Sequence, residues 1–249
     1  MCELATTIVF DDIELKMKTI VDKTGLWTYN NDKPENDLVS HVLRRDHCWE
    51  PYQTEVTIEL LKTLQPSIFL DIGAHIGYYS LIAAAYGWSV ESYEMNPLYF
   101  KILDDNIQDN NFKELITPHK IRVAPEHTID SIINGRKIGI IKIDVEGAEP
   151  EIIQGLQKSL ENQLVDSLII EISPKFRDHE TLIKLIQNIQ SYGYNYYDLG
   201  LSPQRHLNMH THHLQQLPPF DIADIYKISQ TNLLFIKKNL LQEIADQQN

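Results

Sequence analysis

Four carboxylates at the ends of short apolar runs are the side chains of this 249-residue sequence best spaced to do chemistry. Asp71 follows Phe69-Leu70 and opens the glycine turn Asp71-Ile72-Gly73-Ala74-His75-Ile76-Gly77-Tyr78. Glu94 comes 23 residues later, closing Ser89-Val90-Glu91-Ser92-Tyr93, with Met95 beside it. Asp144 ends the run Ile138 to Ile143 and leads into Val145-Glu146-Gly147-Ala148-Glu149, and Glu171 stands near the end of Leu168 to Ile172. Gly73 and Gly77 lack the Cβ that obstructs a positive φ or a close approach of backbone to ligand, so the turn reads as a small-molecule cradle. A carboxylate at the end of the second strand can accept both hydroxyls of an adenosine ribose. The pattern points to an adenosine cofactor bound by Asp71, Gly73, Ala74, His75, Gly77, Tyr78, Glu94, Met95 and Asp144.

The turn departs from the dinucleotide fingerprint, which places glycines at its first, third and sixth positions so that a pyrophosphate can approach the helix N-terminus. Counted from Gly73, those later positions are His75 and Tyr78, whose bulk would obstruct a pyrophosphate. S-adenosylmethionine has no phosphate, carries a sulfonium, and has an amino-acid end that needs hydrogen-bond partners and a nearby carboxylate. It suits an Asp71-led turn better than a nicotinamide dinucleotide does. The carboxylates from Asp144 to Glu149 form a negative pocket mouth that suits a cationic sulfonium or a metal ion, and no metal ligand set is assigned. Glu149 reads as a residue of a first helical turn, where a carboxylate meets the helix dipole.

Methyl transfer from a sulfonium is an in-line displacement in which the acceptor hydroxyl loses its proton at or near the transition state. The candidate bases are Asp144 and Glu171, with Glu146 nearby; His75 is a further candidate whose plainer role is a hydrogen bond to the cofactor or the turn. His206, His210, His212 and His213 sit in a long polar stretch, and they read as a solvated loop, a shared metal site or an acceptor-side base on a closing loop. Tyr194-Asn195-Tyr196-Tyr197 reads as a strand with one aromatic face buried, or as a platform on which a sugar stacks.

Elements that position these residues alternate as a doubly wound sheet requires. Strands are predicted at Ile68 to Ile72, Ser89 to Tyr93, Ile116 to Val123, Ile138 to Ile143 and Val165 to Ile172, then at Tyr194 to Leu199 and Asn232 to Lys238. Helices are predicted at Pro51 to Leu64, Ile76 to Tyr86, Pro97 to Gln108, Thr128 to Ile133, Glu149 to Leu160 and Thr181 to Tyr192. The apolar run Ile138-Gly139-Ile140-Ile141-Lys142-Ile143 marks a central strand covered on both faces. Residues 1–65 are expected to be a helical or irregular N-terminal cap, 66–238 the catalytic domain and 239–249 a tail. The connection from Gly200 to Asp221 is long enough for a lid or binding loop.

A content of 43% hydrophobic and 23% charged residues is that of an ordinary globular protein. The formal net charge of −13, without a dense Lys/Arg run, argues against a surface that tracks nucleic-acid phosphates. Cys2 and Cys48 have no paired spacing, so a reducing compartment is expected. No apolar run reaches membrane-spanning length and the N-terminus lacks a signal-peptide pattern, which points to the cytoplasm.

Asp71-Ile72-Gly73-Ala74-His75-Ile76-Gly77, Ile141-Lys142-Ile143-Asp144-Val145-Glu146-Gly147-Ala148-Glu149 and Thr231-Asn232-Leu233-Leu234-Phe235-Ile236 resemble the signature of FkbM-family S-adenosylmethionine-dependent methyltransferases. Trp49-Glu50 resembles the segment that precedes that family's first core strand, and His75 stands where the family frequently has asparagine. The resemblance implies a class I methyltransferase: a Rossmann-like, mostly parallel seven-stranded sheet with an antiparallel final strand. It also implies O-methylation of a hydroxyl, commonly on a sugar or a polyketide-type product. The expected function is therefore an S-adenosylmethionine-dependent O-methyltransferase acting on a small-molecule or glycan hydroxyl. Its rivals are a nicotinamide-dependent oxidoreductase and a non-catalytic methyltransferase-like binding module.

Overall fold

The computed structural model describes residues 2–21, 37–124, 127–173, 178–200, 214, 217, 219–228 and 230–247. Its helices and strands are β1 (Cys2–Phe10), β2 (Ile13–Val21), α1 (Leu38–Asp46), α2 (Pro51–Thr63), β3 (Ile68–Ile72), α3 (Tyr78–Ala85), β4 (Ser89–Tyr93), α4 (Pro97–Asp109) and β5 (Ile116–His119). The chain continues through α5 (Ile129–Ile133), β6 (Ile138–Ile143), α6 (Glu149–Gln154), α7 (Gln157–Glu161), β7 (Val165–Ile172), α8 (His179–Ser191), β8 (Tyr194–Asp198), β9 (Thr231–Lys237) and α9 (Lys238–Gln247).

Seven strands form one sheet in the order β5-β4-β3-β6-β7-β9-β8. Pairings from β5 through β7 are parallel, and β9 runs antiparallel to both β7 and β8. The mostly parallel sheet and its antiparallel last strand are as expected. Parallel strands require crossover helices on both faces, and the central strands are accordingly apolar in both directions. Phe69 and Ile140 face a core shared with α2, α3 and α4 through Val56, Leu60, Leu81, Ile82 and Leu103. Leu70, Ile72, Ile141 and Ile143 face the opposite core, filled by Ile133, Ile152, Ile186 and Ile189. After β5 the chain returns to the far side of β3 to form β6, so the direction of winding reverses between these two strands. The crevice outside their carboxyl ends is where such a sheet takes its ligand.

Several predicted elements differ in extent. The strand expected over Ile116 to Val123 ends at His119, because β5 is the edge strand and its one partner, β4, ends at Tyr93 opposite His119. The single helix expected over Glu149 to Leu160 is two helices separated by Gly155 and Leu156. Gly155 lies against the Thr128 side chain, so packing against the start of α5 is favoured there over continuous helix. Residues Ile76 and Gly77 belong to the turn, with Gly77 at the helix N-cap in a left-handed conformation.

Cap residues expected to be helical or irregular begin instead with an antiparallel hairpin, β1 and β2, turning between Phe10 and Ile13. Ile8, Leu15, Met17 and Ile20 of the hairpin enter the same core as α3 and α4. Asn106 of α4 fixes it: its Oδ1 accepts from the Lys18 amide at 2.6 Å, while its Nδ2 donates to the carbonyls of Lys18 and, at 2.9 Å, Ile76. Asn110 makes the corresponding pair of bonds with the amide and carbonyl of Lys16. The loop from Asn30 to Asn36 and the four histidines His206, His210, His212 and His213 lie outside the described residues.

Trp88, fully buried, closes the core at the start of β4. Its Nε1 donates to the Leu61 carbonyl at 3.1 Å, and its ring occupies the space above Gly139. Trp88→Ala is expected to cost about 3 to 5 kcal/mol of unfolding free energy, measured by urea denaturation.

Candidate active site

The turn between β3 and α3 is held from several directions. The amides of Gly73 and Ala74 both donate to the Tyr93 carbonyl, at 2.9 and 3.0 Å, and the Gly77 amide donates to the Ala74 carbonyl at 2.8 Å. Gly73 has φ +86°, and a Cβ there would lie 1.8 Å from the carbonyl oxygen of Asp144. Only glycine allows β3 and the loop after β6 to approach this closely. Gly77, at φ +92°, is similarly closed in by the Leu103 side chain.

Glu94 sits beside this turn with both carboxylate oxygens anchored. Oε2 accepts from the His75 amide at 2.9 Å and Oε1 from the Asn96 amide at 2.6 Å. Each oxygen has two lone pairs, so this anchoring fixes the carboxylate without exhausting its acceptor capacity. Burial holds Glu94 above the usual carboxylate range despite these two donors. Met95, next in sequence, is 62% exposed.

His75 is itself in the left-handed region, at φ +52°. Its Nε2 lies 3.0 Å from Asp37 Oδ1, and its ring packs 3.9 Å from that of Tyr99. Nδ1 is buried with no hydrogen-bond partner among the described residues. Burial opposes a charged imidazole, but the Asp37 carboxylate overcomes that penalty and raises His75 above its ordinary value. Asp37 also caps α1, accepting from the Ser40 amide at 2.8 Å, so one carboxylate joins the N-terminal segment to the turn.

Asp71 is almost fully buried and accepts from Ser80 Oγ at 2.6 Å, with Ser80 in turn 2.7 Å from Ser92 Oγ. It supports the turn from beneath, and burial raises its pKa. The Tyr78 hydroxyl is engaged with the Trp49 amide, Thr54 Oγ1 and Cys48 Sγ. Tyr78 therefore ties Trp49 and α2 to the start of α3 through its side chain.

At the ends of β6 and β7 lies the acidic group. Lys142 is buried beneath it, donating to Asp144 Oδ2 at 2.9 Å with its ammonium over the Tyr79 ring. Burial would raise the Asp144 carboxyl, but the Lys142 charge and a hydrogen bond from Glu171 hold it below the usual range. Glu171 is 3% exposed; burial and then the neighbouring Asp144 charge push its carboxyl up to about 10. Two carboxyl groups sharing one proton is the arrangement expected when like charges meet in a poorly hydrated site. Glu149 is nearly inaccessible, and its Oε1 accepts from the amides of Val145 and Gly147. That contact fixes the loop carrying Asp144 and Glu146, in keeping with the structural role expected of Glu149.

Glu50 completes the floor. Its Oε2 accepts from the Tyr79 hydroxyl at 2.9 Å and its Oε1 from Asn232 Nδ2 at 2.9 Å, linking the Trp49-Glu50 segment to β9. The structure thus brings Asp71, Gly73, Ala74, His75, Glu94, Asp144 and Glu171 to one edge of the sheet. Asp37 and Lys142 were not singled out from the sequence. A lysine inside the apolar run of β6 is a readable signal of a buried charge needing partners. Asp37 offers only its cap spacing to Ser40, which says nothing of His75.

Residues 94–196 match the family model described as the methyltransferase FkbM domain. That match bears out the family resemblance; it runs from Glu94 into β8 and takes in the Asp144–Glu149 motif, while the Asp71–Gly77 and Thr231–Ile236 motifs lie outside it. Among solved structures, a human methyltransferase 10 domain containing protein is 15% identical with a TM-score of 0.54, covering 84% of this chain and 98% of its own. The METTL16 methyltransferase domain is 16% identical with a TM-score of 0.53, covering 84% and 99%. A putative rRNA methylase from Clostridium thermocellum is 11% identical with a TM-score of 0.52, covering 75% and 95%. At these identities the likeness concerns the fold. No curated protein is similar enough to this chain to count as a match.

The shared proton has a consequence for stability. As pH rises from the ordinary Glu range toward 10, the unfolded chain releases the Glu171 proton while the folded chain keeps it. This group's contribution to stability therefore falls across that window. Glu171→Gln keeps a donor toward Asp144 but cannot ionise. Its melting temperature relative to the parent, followed by calorimetry in chelator-treated buffer, is expected to rise between pH 5 and pH 9.

Proposed function

We propose that this methyltransferase uses S-adenosylmethionine to methylate a hydroxyl, on a sugar of a glycan or glycosylated metabolite. The observation that carries the cofactor assignment is Glu94, a carboxylate anchored by two backbone amides beside a turn that only glycine at position 73 permits. That donor and acceptor set fits an adenosine: Glu94 for the ribose hydroxyls, the exposed Met95 for the apolar face of the base, and His75 Nδ1 for a polar group of the cofactor. Gly73, Ala74 and Gly77 form the cradle, Asp71 props it, and Tyr78 fixes the helix that follows. When bound, S-adenosylmethionine supplies an electrophilic methyl group. The tilted packing of His75 on Tyr99 fills the position where a dinucleotide fingerprint has its second glycine, which disfavours the nicotinamide reading.

Asp144 is the base in this reading. Lys142 and Glu171 keep it ionised near neutrality, and it stands beside the crevice where an acceptor hydroxyl would approach. Glu171 retains its proton and orients Asp144, limiting its own part to the shared-proton pair. A weakly basic carboxylate suffices where the hydroxyl proton leaves late in the displacement. A glycan hydroxyl as acceptor is supported by the motif resemblance; Tyr194 is fully buried with its hydroxyl donating to the Val165 carbonyl and Tyr196 packs on Phe235, so that strand is an aromatic face turned into the core, and the rRNA named for one neighbour belongs to that neighbour alone. Among the described residues no helix is long and apolar enough to cross a membrane, and a cytoplasmic location belongs to the same proposal.

Calorimetric titration with S-adenosylmethionine, S-adenosylhomocysteine and NAD tests the assignment. Both sulfur nucleotides are expected to bind and NAD is not; failure of both would sink the cofactor reading. Glu94→Ala is expected to weaken cofactor affinity by about 1 to 3 kcal/mol, and unchanged affinity would remove Glu94 from the site.

A further inference from the structure

Asp144, Glu146 and Glu171 each offer a carboxylate oxygen, and these three oxygens lie within 4.8 Å of one another. Asp144 and Glu146 come from the loop after β6, while Glu171 comes from the end of the adjacent strand β7. Acidic clusters are common on protein surfaces, so proximity alone decides nothing. The second observation is Glu171 itself: the residue is 3% exposed, and its Oε1 is buried with no hydrogen-bond partner among the described residues. A buried carboxyl oxygen without a donor is costly, and a cation shared with two further carboxylates would satisfy it, its binding displacing the proton that Glu171 otherwise shares with Asp144. Lys142 supplies one positive charge on Asp144 Oδ2. The donors are all hard oxygens, and two of the side chains stand on a loop fixed by the Glu149 carboxylate.

We propose that Asp144, Glu146 and Glu171 form a binding site for a divalent cation of the magnesium, manganese or calcium class. Oxygen-only ligation matches the preferences of these ions, which retain water or take substrate oxygens in their remaining positions. The role of the ion rests on the proposed hydroxyl methylation. Placed at the carboxyl ends of β6 and β7, it would hold the acceptor oxygen and make its proton more acidic. The existence of the site does not depend on that reading.

The test uses the full chain, stripped of metal with chelator and titrated with Mn²⁺ alone, read by electron paramagnetic resonance and calorimetry. Saturable uptake of one Mn²⁺ per chain is expected, displaceable by Mg²⁺. Glu171→Gln and Glu146→Gln are each expected to weaken it by at least the roughly 10-fold that loss of even an outer partner of a metal site costs. Glu146 is exposed, so its variant tests the site even if the Glu171 variant fails to fold. No saturable uptake, or uptake undiminished in the Glu146 variant, overturns the proposal. S-adenosylmethionine titrated into the metal-free chain separates the two readings: cofactor binding without Mn²⁺ uptake overturns the cation site alone, and Mn²⁺ uptake without cofactor binding supports the site while overturning the cofactor reading.

Discussion

The approach of Gly73 to the Asp144 carbonyl is the constraint on which the rest of the crevice depends. Two neighbouring parallel strands end here, and their following segments diverge, one into α3 and the other into α6. For the crevice to be narrow at its base, the two backbones have to meet without a side chain between them. A Cβ at position 73 would occupy the space of the carbonyl oxygen. With that contact made, the Asp144 amide donates to the Ile72 carbonyl at 3.0 Å, and the Gly73 and Ala74 amides reach across to Tyr93 on the other side. Three strand ends are thus locked in one geometry, and their carboxylates inherit it.

Beneath them lies a buried charge network that no hydrophobic packing argument would select. Glu50, Asp71 and Asp144 surround Lys142, and burial raises the first two carboxyls while the ammonium works against it. Such a network contributes little net stability compared with well-packed apolar residues, yet breaking it by removing one partner leaves a buried charge uncompensated. Its geometric effect is plainer. Glu50 joins the segment before α2 to Asn232 of β9 and to Tyr79 of α3, so elements far apart in sequence meet at the floor of the crevice.

The strands were legible because their physics is local. The bounds read for β3, β4, β6 and β7 coincide with those observed: β6 declares itself as a nearly uninterrupted apolar run covered on both faces, and the others as short β-rich runs ending near a carboxylate and bounded by turn or helix signals. What misled was also local: the run from Ile116 extends past His119 in apolar pattern, but the partner strand β4 ends at Tyr93, opposite His119. The hairpin was legible only in part: Ile13-Glu14-Leu15-Lys16-Met17-Lys18 alternates as a strand does, but Cys2 to Phe10 does not, and its docking depends on Asn106 and Asn110, more than 80 positions away. In the site, Glu94 and Asp144 could be read from strand ends and spacing. The partnership of Asp37 with His75 could not, because it is a contact between segments with no shared periodicity.

Asn106 and Asn110 have a further effect beyond docking the hairpin. A two-stranded ribbon presents free backbone donors and acceptors along each outer side, and such sides invite pairing with another chain. On β2 the outward amides and carbonyls of Lys16 and Lys18 are already taken by these two side chains. The asparagines imitate a neighbouring strand, one residue for each two-point contact, and end the ladder there. The ribbon is thereby withdrawn from strand addition on that side, protecting the chain from edge-to-edge association without lysine repulsion or a bulge.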